Sequence, residues 1–160
     1  MKTNFLENNH VVHCVPAANS AAAEDWGDTA VNSDVISLAN ADGAVFILTT
    51  TNNAGGASSI FICAADDTTP TTTVAVSFRY KYWSSPDTLL GSGESAEFLT
   101  STGADIVYVF EVDASKVAEQ GYKYVVMSAP EATNAAVDGT MMAFLTGLRY
   151  KEDDAGSQVT

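Results

Sequence analysis

The sequence predicts an all-β protein, an antiparallel β-sandwich of Ig-like or jelly-roll type with about eight or nine short strands and an extended N-terminal arm. The first reason is the alternation in residues 73–83, TVAVSFRYKYW, where every second side chain is apolar. Successive side chains of a strand point to opposite faces, so this run has one apolar and one mixed face. The second reason is that Gly, Asn, Asp and Pro turns separate the other apolar runs. The third is that helix signals are confined to one short stretch.

Three regions follow from this pattern. Residues 1–33 form the arm, residues 34–150 the sandwich domain, and residues 151–160 a polar acidic tail. Within the arm, residues 10–15 are expected to form a short strand. The Ala-rich run that follows is too short to hold a helix without packing. We therefore expect an extended segment there, anchored by Trp26 and lying on another surface.

Two strands stand out because both of their faces are apolar. Residues 44–50, AVFILTT, carry apolar side chains on both sides. In residues 105–113, Val107 and Val109 oppose the apolar side that begins at Ile106. Such runs are typical of strands that are covered on both faces, and we expect both strands to be covered in this way. The remaining strands are predicted at 34–38, 58–64, 73–83, 88–90, 96–100, 122–128 and 141–149.

The one helix signal begins at Asp113. This residue is expected to cap a single helical turn that runs through Glu119 and ends before Gly121. Residues 91–93, GSG, are expected to form a hairpin turn instead, because they lack the lysine and the following helix of a phosphate-binding loop.

The charge of the chain narrows the range of partners. Only 7 Lys and Arg stand against 20 Asp and Glu, which gives a net charge of −13. Such a surface repels phosphate backbones, so no nucleic-acid partner is expected. No run approaches the roughly 20 apolar residues that a membrane helix needs, and nothing near Met1 resembles a secretory signal. We expect a soluble protein that is made in the cytoplasm and has no membrane partner.

The cysteines and histidines predict no reactive or metal-binding site. Cys14 and Cys63 are expected to be small buried hydrophobic residues, although a bond between them stays open. The run His10-x-x-His13-Cys14 has the residue types of a metal site. In an extended segment, however, His13 and Cys14 point in opposite directions and cannot share an ion or act as a nucleophile pair. Polar residues on an edge strand are the better interpretation.

The acidic residues raise two further possibilities. Asp66 and Asp67 offer the oxygen ligands that calcium prefers, but they lack the spacing of a calcium-binding loop. A glycosidase needs two carboxylates that converge in an open cleft. Because paired acids in turns are ordinary in so acidic a chain, we expect neither an enzyme nor a cofactor. The carboxylates that a glycosidase would have to use are Glu94, Glu97, Glu111 and Asp113.

The aromatic residues could form a surface that binds sugars, or they could pack in the core and between subunits. Tyr80, Tyr82, Trp83, Tyr122 and Tyr124 have the ring faces on which sugars stack, but aromatic residues are also enriched in cores and subunit seams. Since Tyr80 and Tyr82 continue the apolar alternation, we assign them to the core. Trp83 is then the better candidate for a seam between subunits.

Three segments carry a further signal: DDTTPTTTVAVSFRYKYW, IVYVFEVDASKVAEQGYKYVV and the ending AFLTGLRY. They combine an acidic turn before a Thr-rich strand, the phrase EVDAS followed by GY-x-Y, and an aliphatic closing strand that ends in Arg149-Tyr150. In these features the chain resembles a group of small structural proteins of tailed phages and prophages that are encoded near capsid genes. The resemblance covers residues 66–150, and neither the arm nor the tail has a counterpart in it.

The resemblance implies a virion protein, a head decoration or cement protein that binds the outer shell at junctions between capsomers and stabilises it. The implied partners are the major capsid protein and copies of the chain itself, as a homotrimer. The implied location is the capsid surface, after synthesis in the host cytoplasm. A tail or neck component and a carbohydrate-binding attachment module remain alternatives. If the arm acts as a strap and Trp83 as a seam, the interface residues are Val11, Val12, Val15, Trp26 and Trp83.

Overall fold

A computed structural model describes residues 8–15, 31–53, 56–101, 105–133 and 137–148. It confirms the predicted class, because the described chain forms two antiparallel sheets around one apolar core, with a single short helix. The elements are β1 (Asn9–Val15), β2 (Val31–Asn32), β3 (Ile36–Ser37), β4 (Gly43–Asn53), β5 (Ala57–Ala65), β6 (Thr73–Val76), β7 (Phe78–Ser84), β8 (Thr88–Ser95), β9 (Phe98–Leu99), β10 (Ile106–Asp113), α1 (Ala114–Glu119), β11 (Tyr124–Ala129), β12 (Glu131–Thr133) and β13 (Val137–Thr146).

The first sheet has six strands in the order β1-β13-β4-β10-β7-β8. β1 forms one edge and pairs with β13 from Asn9 opposite Thr146 to Val15 opposite Met141. Residues 10–15, predicted as a strand within the arm, thus lie in an edge strand of the sandwich itself. The rest of the arm between residues 16 and 30, and the tail after residue 148, lie outside the described residues.

The second sheet is built around β5 and β11, in the order β12-β5-β11-β2. β3 also pairs with β11, and β6 and β9 pair with β5. The described residues therefore hold thirteen strands rather than the eight or nine predicted. β2 and β12 have only two and three residues, too few for an alternating pattern to reveal them.

The run 73–83, predicted as one strand, is divided at Ser77. β6 pairs with β5 in the second sheet, whereas β7 pairs with β10 in the first. Val76 and Phe78 are both buried in the shared core, so the apolar alternation continues although the chain changes sheets. Alternation shows which side of a strand faces the core. Because both sheets face the same core, the alternation continues when the chain passes from one sheet to the other. The prediction of a single strand was therefore wrong at this bend.

The core between the sheets follows the predicted alternation in β10. Phe110 and its apolar neighbours on that side are buried, and Phe110 meets Phe78 edge to face with ring centroids 5.6 Å apart. Each large apolar side chain that is fully buried contributes about 1.5–3 kcal/mol relative to exposure. The largest fully buried side chains are Tyr108, Phe46, Phe78, Phe110, Ile36, Leu48, Ile60, Ile62, Ile106, Met127 and Met141.

Tyr80 and Tyr82 pack against this core, as predicted. Tyr82 stacks on Tyr108 with ring centroids 5.6 Å apart, and Tyr80 lies 4.6 Å from Phe98. The Tyr108 hydroxyl accepts a 3.0 Å hydrogen bond from the Ser101 N–H, so its polar end has a partner although its ring is buried. Burial raises the pKa of this phenol to about 12.

The turn predicted at residues 91–93 is wrong, because β8 runs through these residues as one strand. Gly91 lies opposite Tyr82, and Gly93 lies opposite Tyr80. A Cβ atom at either glycine would lie 2.7 Å from an atom of the tyrosine side chain across from it. The missing side chains therefore make room for the two tyrosine rings beside β8, which is a common reason for glycine within a strand.

Candidate interaction surface

The side of the first sheet that points away from the core, here called the outer face, carries three rows of side chains that cross the strands. The pairing registers define these rows. The first row runs Val11, Phe144, Val45, Glu111, Arg79 and Glu94 from β1 to β8. The second row runs His13, Met142, Ile47, Val109, Lys81 and Ser92. The third row runs Thr140, Thr49, Val107, Trp83 and Leu89, from β13 to β8.

The middle of the outer face is apolar. Ile47 and Val109 lie opposite each other and are half-buried, and Val107 beside them is 38% exposed. At the two edges, Val11 is 45% exposed and Leu89 is 55% exposed. A sheet with one face in water normally places polar side chains on that face. The described chain thus covers β4 and β10 on the core side and leaves the outer side open, although the sequence predicts cover on both.

Charged residues on the outer face cluster around Arg79. Arg79 lies between Glu111 and Glu94 in the first row, and Lys81 follows in the second. The Arg79 guanidinium is 3.3 Å from the Glu111 carboxylate and donates a 3.2 Å hydrogen bond to Asp113. Asp113 occupies the predicted N-cap position of α1, but its side chain makes no capping hydrogen bond. It serves the ion pair with Arg79 instead.

Lys116 connects α1 to the edge of the outer face. Its ammonium group donates a 2.7 Å hydrogen bond to the Ser77 hydroxyl and a very short one to Glu94. The hydrogen bond and the positive charge of Lys116 lower the pKa of the Glu94 carboxyl. This pair fixes the point where the chain passes from β6 to β7 against the neighbouring strand β8.

A shallow groove of about 570 Å³ lies at the charged end of the outer face. Its walls include the Trp83 side chain, the aliphatic Val109, and the charged residues Arg79, Lys81 and Glu94. This groove places an aromatic side chain beside positively charged donors and a negatively charged acceptor. Such a groove can bind a polar ligand or a side chain of another protein.

The opposite outer side, that of the second sheet, combines small and polar residues with Phe61 and with Leu99, which is 59% exposed. Ser59, Cys63 and Ser128 point outward there, and Val126 is only 8% exposed. A groove of about 440 Å³ crosses this side and is lined by Asn32, Ser33, Val35, Phe61, Cys63, Pro70, Thr73, Val126 and Ser128. Charged side chains are missing from this lining.

The predicted interface residues separate into different places. Val11 and Trp83 both lie on the outer face, at its opposite ends. Val12 points the other way and is 3% exposed, so it belongs to the core of this chain and is not available to a partner. Val15 pairs with Met141 through its backbone. Trp26 lies outside the described residues.

Sequence reasoning missed the residues between Val11 and Trp83. Ile47, Val109 and Met142 lie next to each other across three strands, yet the sequence separates them widely. The signal was present, since β4 and β10 are apolar on both faces. It was interpreted as cover on both faces, and strand order is needed to see that the outer sides of both strands lie on one surface.

The other candidate sites do not come together. His13 is exposed and Cys14 is buried on the opposite side of β1, as predicted. The Asp66 carboxylate accepts hydrogen bonds from Thr71 and Thr72, which lower its pKa and use its oxygens within the turn. Among the described residues, no group of three or more His, Cys, Asp or Glu side chains is placed to hold a metal ion.

The two cysteines are not bonded to each other. Cys14 is buried, as expected, whereas Cys63 is half-exposed on the outer side of the second sheet. Burial, with a smaller effect of the Asp34 charge, raises the pKa of the Cys14 thiol to about 12. Burial also raises the pKa of Cys63. Neither environment favours the thiolate that a nucleophile requires.

Comparison with solved structures shows a likeness to a prophage protein. The structure is similar to that of YomS, a protein derived from the SPBc2 prophage, with a TM-score of 0.51. The likeness covers 91% of this chain and 98% of YomS, at 10% sequence identity. At such low identity the likeness shows a shared fold. No protein-family model matches the sequence, and no curated protein matches it.

No helix within the described ranges is long and apolar enough to cross a membrane.

Proposed function

We propose that this protein is a structural component of a phage virion, a capsid decoration or cement protein that binds the outer shell at capsomer junctions. The observation that carries the proposal is the outer face of the first sheet, where apolar side chains stand open on an otherwise well-packed sandwich. Soluble monomers seldom leave large apolar patches exposed, and such patches mark interaction sites. A protein whose six-stranded sheet is covered by the described chain on one side only is suited to work as a part of an assembly.

The fold and the charge support the same proposal. The sandwich is shared with a protein derived from a prophage, and segments of the sequence resemble phage structural proteins. A net charge of −13 keeps free subunits apart and in solution. Burial of apolar area at about 25 cal/mol per Å² would then favour binding where the outer face meets a matching surface. The major capsid protein is the proposed partner, and self-association as a homotrimer stays a prediction of the resemblance.

Stabilisation of a shell by such a protein is a linkage effect. A ligand that binds only the assembled lattice stabilises that lattice in proportion to the logarithm of its free concentration over its dissociation constant. This role requires a binding surface and no reacting group. The described carboxylates of the outer face fit that role, since Glu111 and Glu94 are paired with Arg79 and Lys116. A general acid for sugar hydrolysis would need a carboxyl with a raised pKa, whereas the pKa of Glu94 is lowered.

The test is to locate the protein on intact particles of the phage that encodes it. Antibody fragments against the chain, imaged by electron microscopy, are expected to label the head surface at regular positions. Label on the tail or neck would reject the decoration role and support the alternative of a tail or neck component. Purified particles that lack the protein altogether would overturn the virion assignment.

A carbohydrate-binding module is the second candidate, and the groove beside Trp83 is the observation that favours it. Tyr82 does not contribute to this groove, because its ring packs into the core. Tyr80 and Trp83 both line the groove, and the Tyr80 ring packs against the core, so the alternative depends mainly on Trp83. It predicts binding on a glycan array that Trp83→Ala removes, while Tyr124→Ala on the second sheet leaves it unchanged. An array without any bound glycan would remove this candidate.

A further inference from the structure

We propose that the groove beside Trp83 receives an acidic side chain of the shell protein, and that the Lys81 ammonium is the group that recognises it. Both residues line this groove of about 570 Å³. The inference rests on the proposed function, because it names what the proposed partner presents to one end of the outer face. It adds a specificity-determining residue to a surface whose binding is otherwise explained by apolar burial.

Two cations near this groove are already paired within the chain. The Arg79 guanidinium lies 3.3 Å from the Glu111 carboxylate and 3.2 Å from that of Asp113. Lys116 forms an ion pair with Glu94 on the edge strand β8. Because each of these cations has a carboxylate of its own chain, neither requires a negative charge from a partner.

Lys81 differs from them, since its charge has no counterpart in the described part of the chain. Within the described ranges its ammonium forms no ion pair and no hydrogen bond. Across the sheet Lys81 lies opposite Val109 on β10 and Ser92 on β8, of which one is apolar and the other is neutral. The side chain is exposed, so water solvates the ammonium in the free chain.

Binding at the groove would remove part of this water. Lys81 lies on β7, one strand in from the edge of the sheet, and a partner that contacts both Val109 and Trp83 must also pass next to it. A charge that loses water without gaining a partner opposes binding. A carboxylate offsets this loss, because its charge-assisted hydrogen bond with an ammonium is stronger than that of a neutral oxygen. Charge complementarity therefore selects an acidic side chain.

Trp83 gives that side chain a defined setting. It follows Lys81 by two residues on β7, so both side chains lie on the outer face, about 7 Å apart along the strand. The half-buried Trp83 side chain forms an apolar wall of the groove. An acidic residue with an apolar neighbour on one loop can contact both groups at once.

An acidic sugar would offer the same carboxylate, and the charge of the whole chain argues against that source. The net charge of −13 repels a glycan that repeats a negative charge along its length. A single acidic loop on a folded partner carries no such repeat, and positive residues elsewhere on that partner can balance it. The occupant is therefore an acidic loop of the shell protein, and an acidic glycan is an outcome of the test.

The experiment is a binding titration of the full-length chain on purified particles of a phage that lacks its gene. Lys81→Met removes the charge and keeps an unbranched side chain, so it should raise the dissociation constant by about tenfold. Lys81→Glu places two anions against each other and should raise it by about a hundredfold or more. Lys81→Arg keeps the charge and should stay within about threefold of the natural sequence. Circular dichroism and thermal unfolding check that the variants fold.

The matched control is Lys123→Met, which removes the same charge from an exposed position beside the second sheet. Lys123 directly precedes β11 and lies over the Tyr124 ring, 5.2 Å from its centroid. The general electrostatic effect of one lost lysine is thus the same, and this variant should bind as the natural sequence does. Equal weakening by Lys81→Met and Lys123→Met would contradict a specific contact at the groove.

Cross-linking identifies the anion. A carbodiimide joins an amine to a carboxyl group in contact with it, with loss of water. Bound particles should therefore yield an amide between Lys81 Nζ and an Asp or Glu of the shell protein, read by mass spectrometry. Lys81→Arg should abolish this product while it keeps binding. A bound chain whose Lys81 is joined to no carboxyl group of the shell would overturn the inference.

These outcomes separate the inference from the function on which it rests. Particles that bind the natural chain and Lys81→Met equally would overturn the groove contact and keep the virion role. A natural chain that binds no particles would overturn both. Binding of acidic sugars on a glycan array that Lys81→Met removes, with unchanged binding to particles, would assign the groove to a glycan and reject the shell loop.

Discussion

The two outer sides of this sandwich share one core and differ in what they present to solvent. The first sheet presents Ile47, Val107 and Val109 with Trp83 at one end, whereas the second presents mainly small and polar residues, with Phe61 and Leu99 among them. Both sheets bury their inner sides equally well. The contrast indicates that the apolar residues on the outer face are not required for folding, because the second sheet folds with far fewer of them.

This difference separates two uses of hydrophobic residues in one strand. In β10, one side holds Phe110 in the core, and the other holds Val109 on the outer face. The first contributes to the stability of the isolated chain. The second would contribute in the proposed assembly, where its area would leave water.

The largest expected effect is the difference in stability between a core variant and an outer-face variant of β10. Phe110→Ala should lower the free energy of unfolding by about 3–5 kcal/mol, because it removes a fully buried ring and leaves a cavity. Val109→Ala should lower it by about 1 kcal/mol or less at concentrations where the chain is monomeric, as expected for a half-exposed position. Urea unfolding followed by circular dichroism measures both. Equal losses would mean that the outer face is needed for the fold itself.

The next effect concerns the edge strand that limits the outer face. Gly93→Ala should destabilise the fold by about 1–3 kcal/mol, because the added methyl group would crowd the Tyr80 hydroxyl. Ser92→Ala, which points to the outer face between the two glycines, should change stability by about 0.5 kcal/mol or less.

A double variant tests whether the tyrosine is the cause. Tyr80→Phe removes the hydroxyl that the new methyl group would meet, so Gly93→Ala should cost less in that background. If the cost is the same with and without the hydroxyl, the close approach does not explain the glycine.

The next prediction concerns the stability of the fold at alkaline pH, where the cysteine thiols lose their protons. The pKa of Cys14 is raised from 9.0 to about 12, so the folded chain favours the neutral thiol. This contribution to stability is present below pH 9 and is lost as the pH rises toward 12. In a Cys63→Ala background, unfolding midpoints should fall over this range, and Cys14→Ala should reduce the slope.

Thiol labelling gives an independent reading of the same pair. At pH 8 the half-exposed Cys63 should react well before Cys14, and both should react at once in urea. Faster labelling of Cys14 in the folded chain would mean that β1 leaves the edge of the first sheet, since its thiol points inward from that strand.

The smallest effect lies in the acid range, at the contact between α1 and β8. Lys116 lowers the pKa of Glu94 below its ordinary value of 4.5. A lowered carboxyl pKa contributes stability that is present above pH 4.5 and is lost as the pH falls through the folded-state pKa. Lys116→Met should flatten this part of the stability profile, and added salt should weaken it in the natural sequence. An unchanged acid profile would show that the pair is incidental.

The sequence predicts the class of the fold and most of its strands because alternation depends on local geometry. The buried side of β10, the helical turn after Asp113 and the core position of Tyr80 follow directly from the order of residues. The change of sheet at Ser77 does not, since Val76 and Phe78 face the same core on either side of the bend. The glycines of β8 are ambiguous for a related reason, because a glycine that makes room for a ring looks like a turn glycine until its partner is known.

The candidate surface was visible only in part. Trp83 and Val11 were predicted to be interface residues, and both lie on the outer face. Val12 was placed there by its neighbourhood in sequence, although one step along a strand reverses the side. Ile47, Val109 and Met142 become one patch only through the order β13-β4-β10, which no single segment of sequence records.

The most direct measurement of the central claim is oxidative footprinting of the free chain and of the chain bound to purified particles, read residue by residue by mass spectrometry. Met142 and Trp83 report on the outer face, and Phe61 reports on the second sheet. The account predicts that binding to particles protects Met142 and Trp83 and leaves Phe61 unchanged. Protection of Phe61 with continued oxidation of Met142 and Trp83 would contradict it.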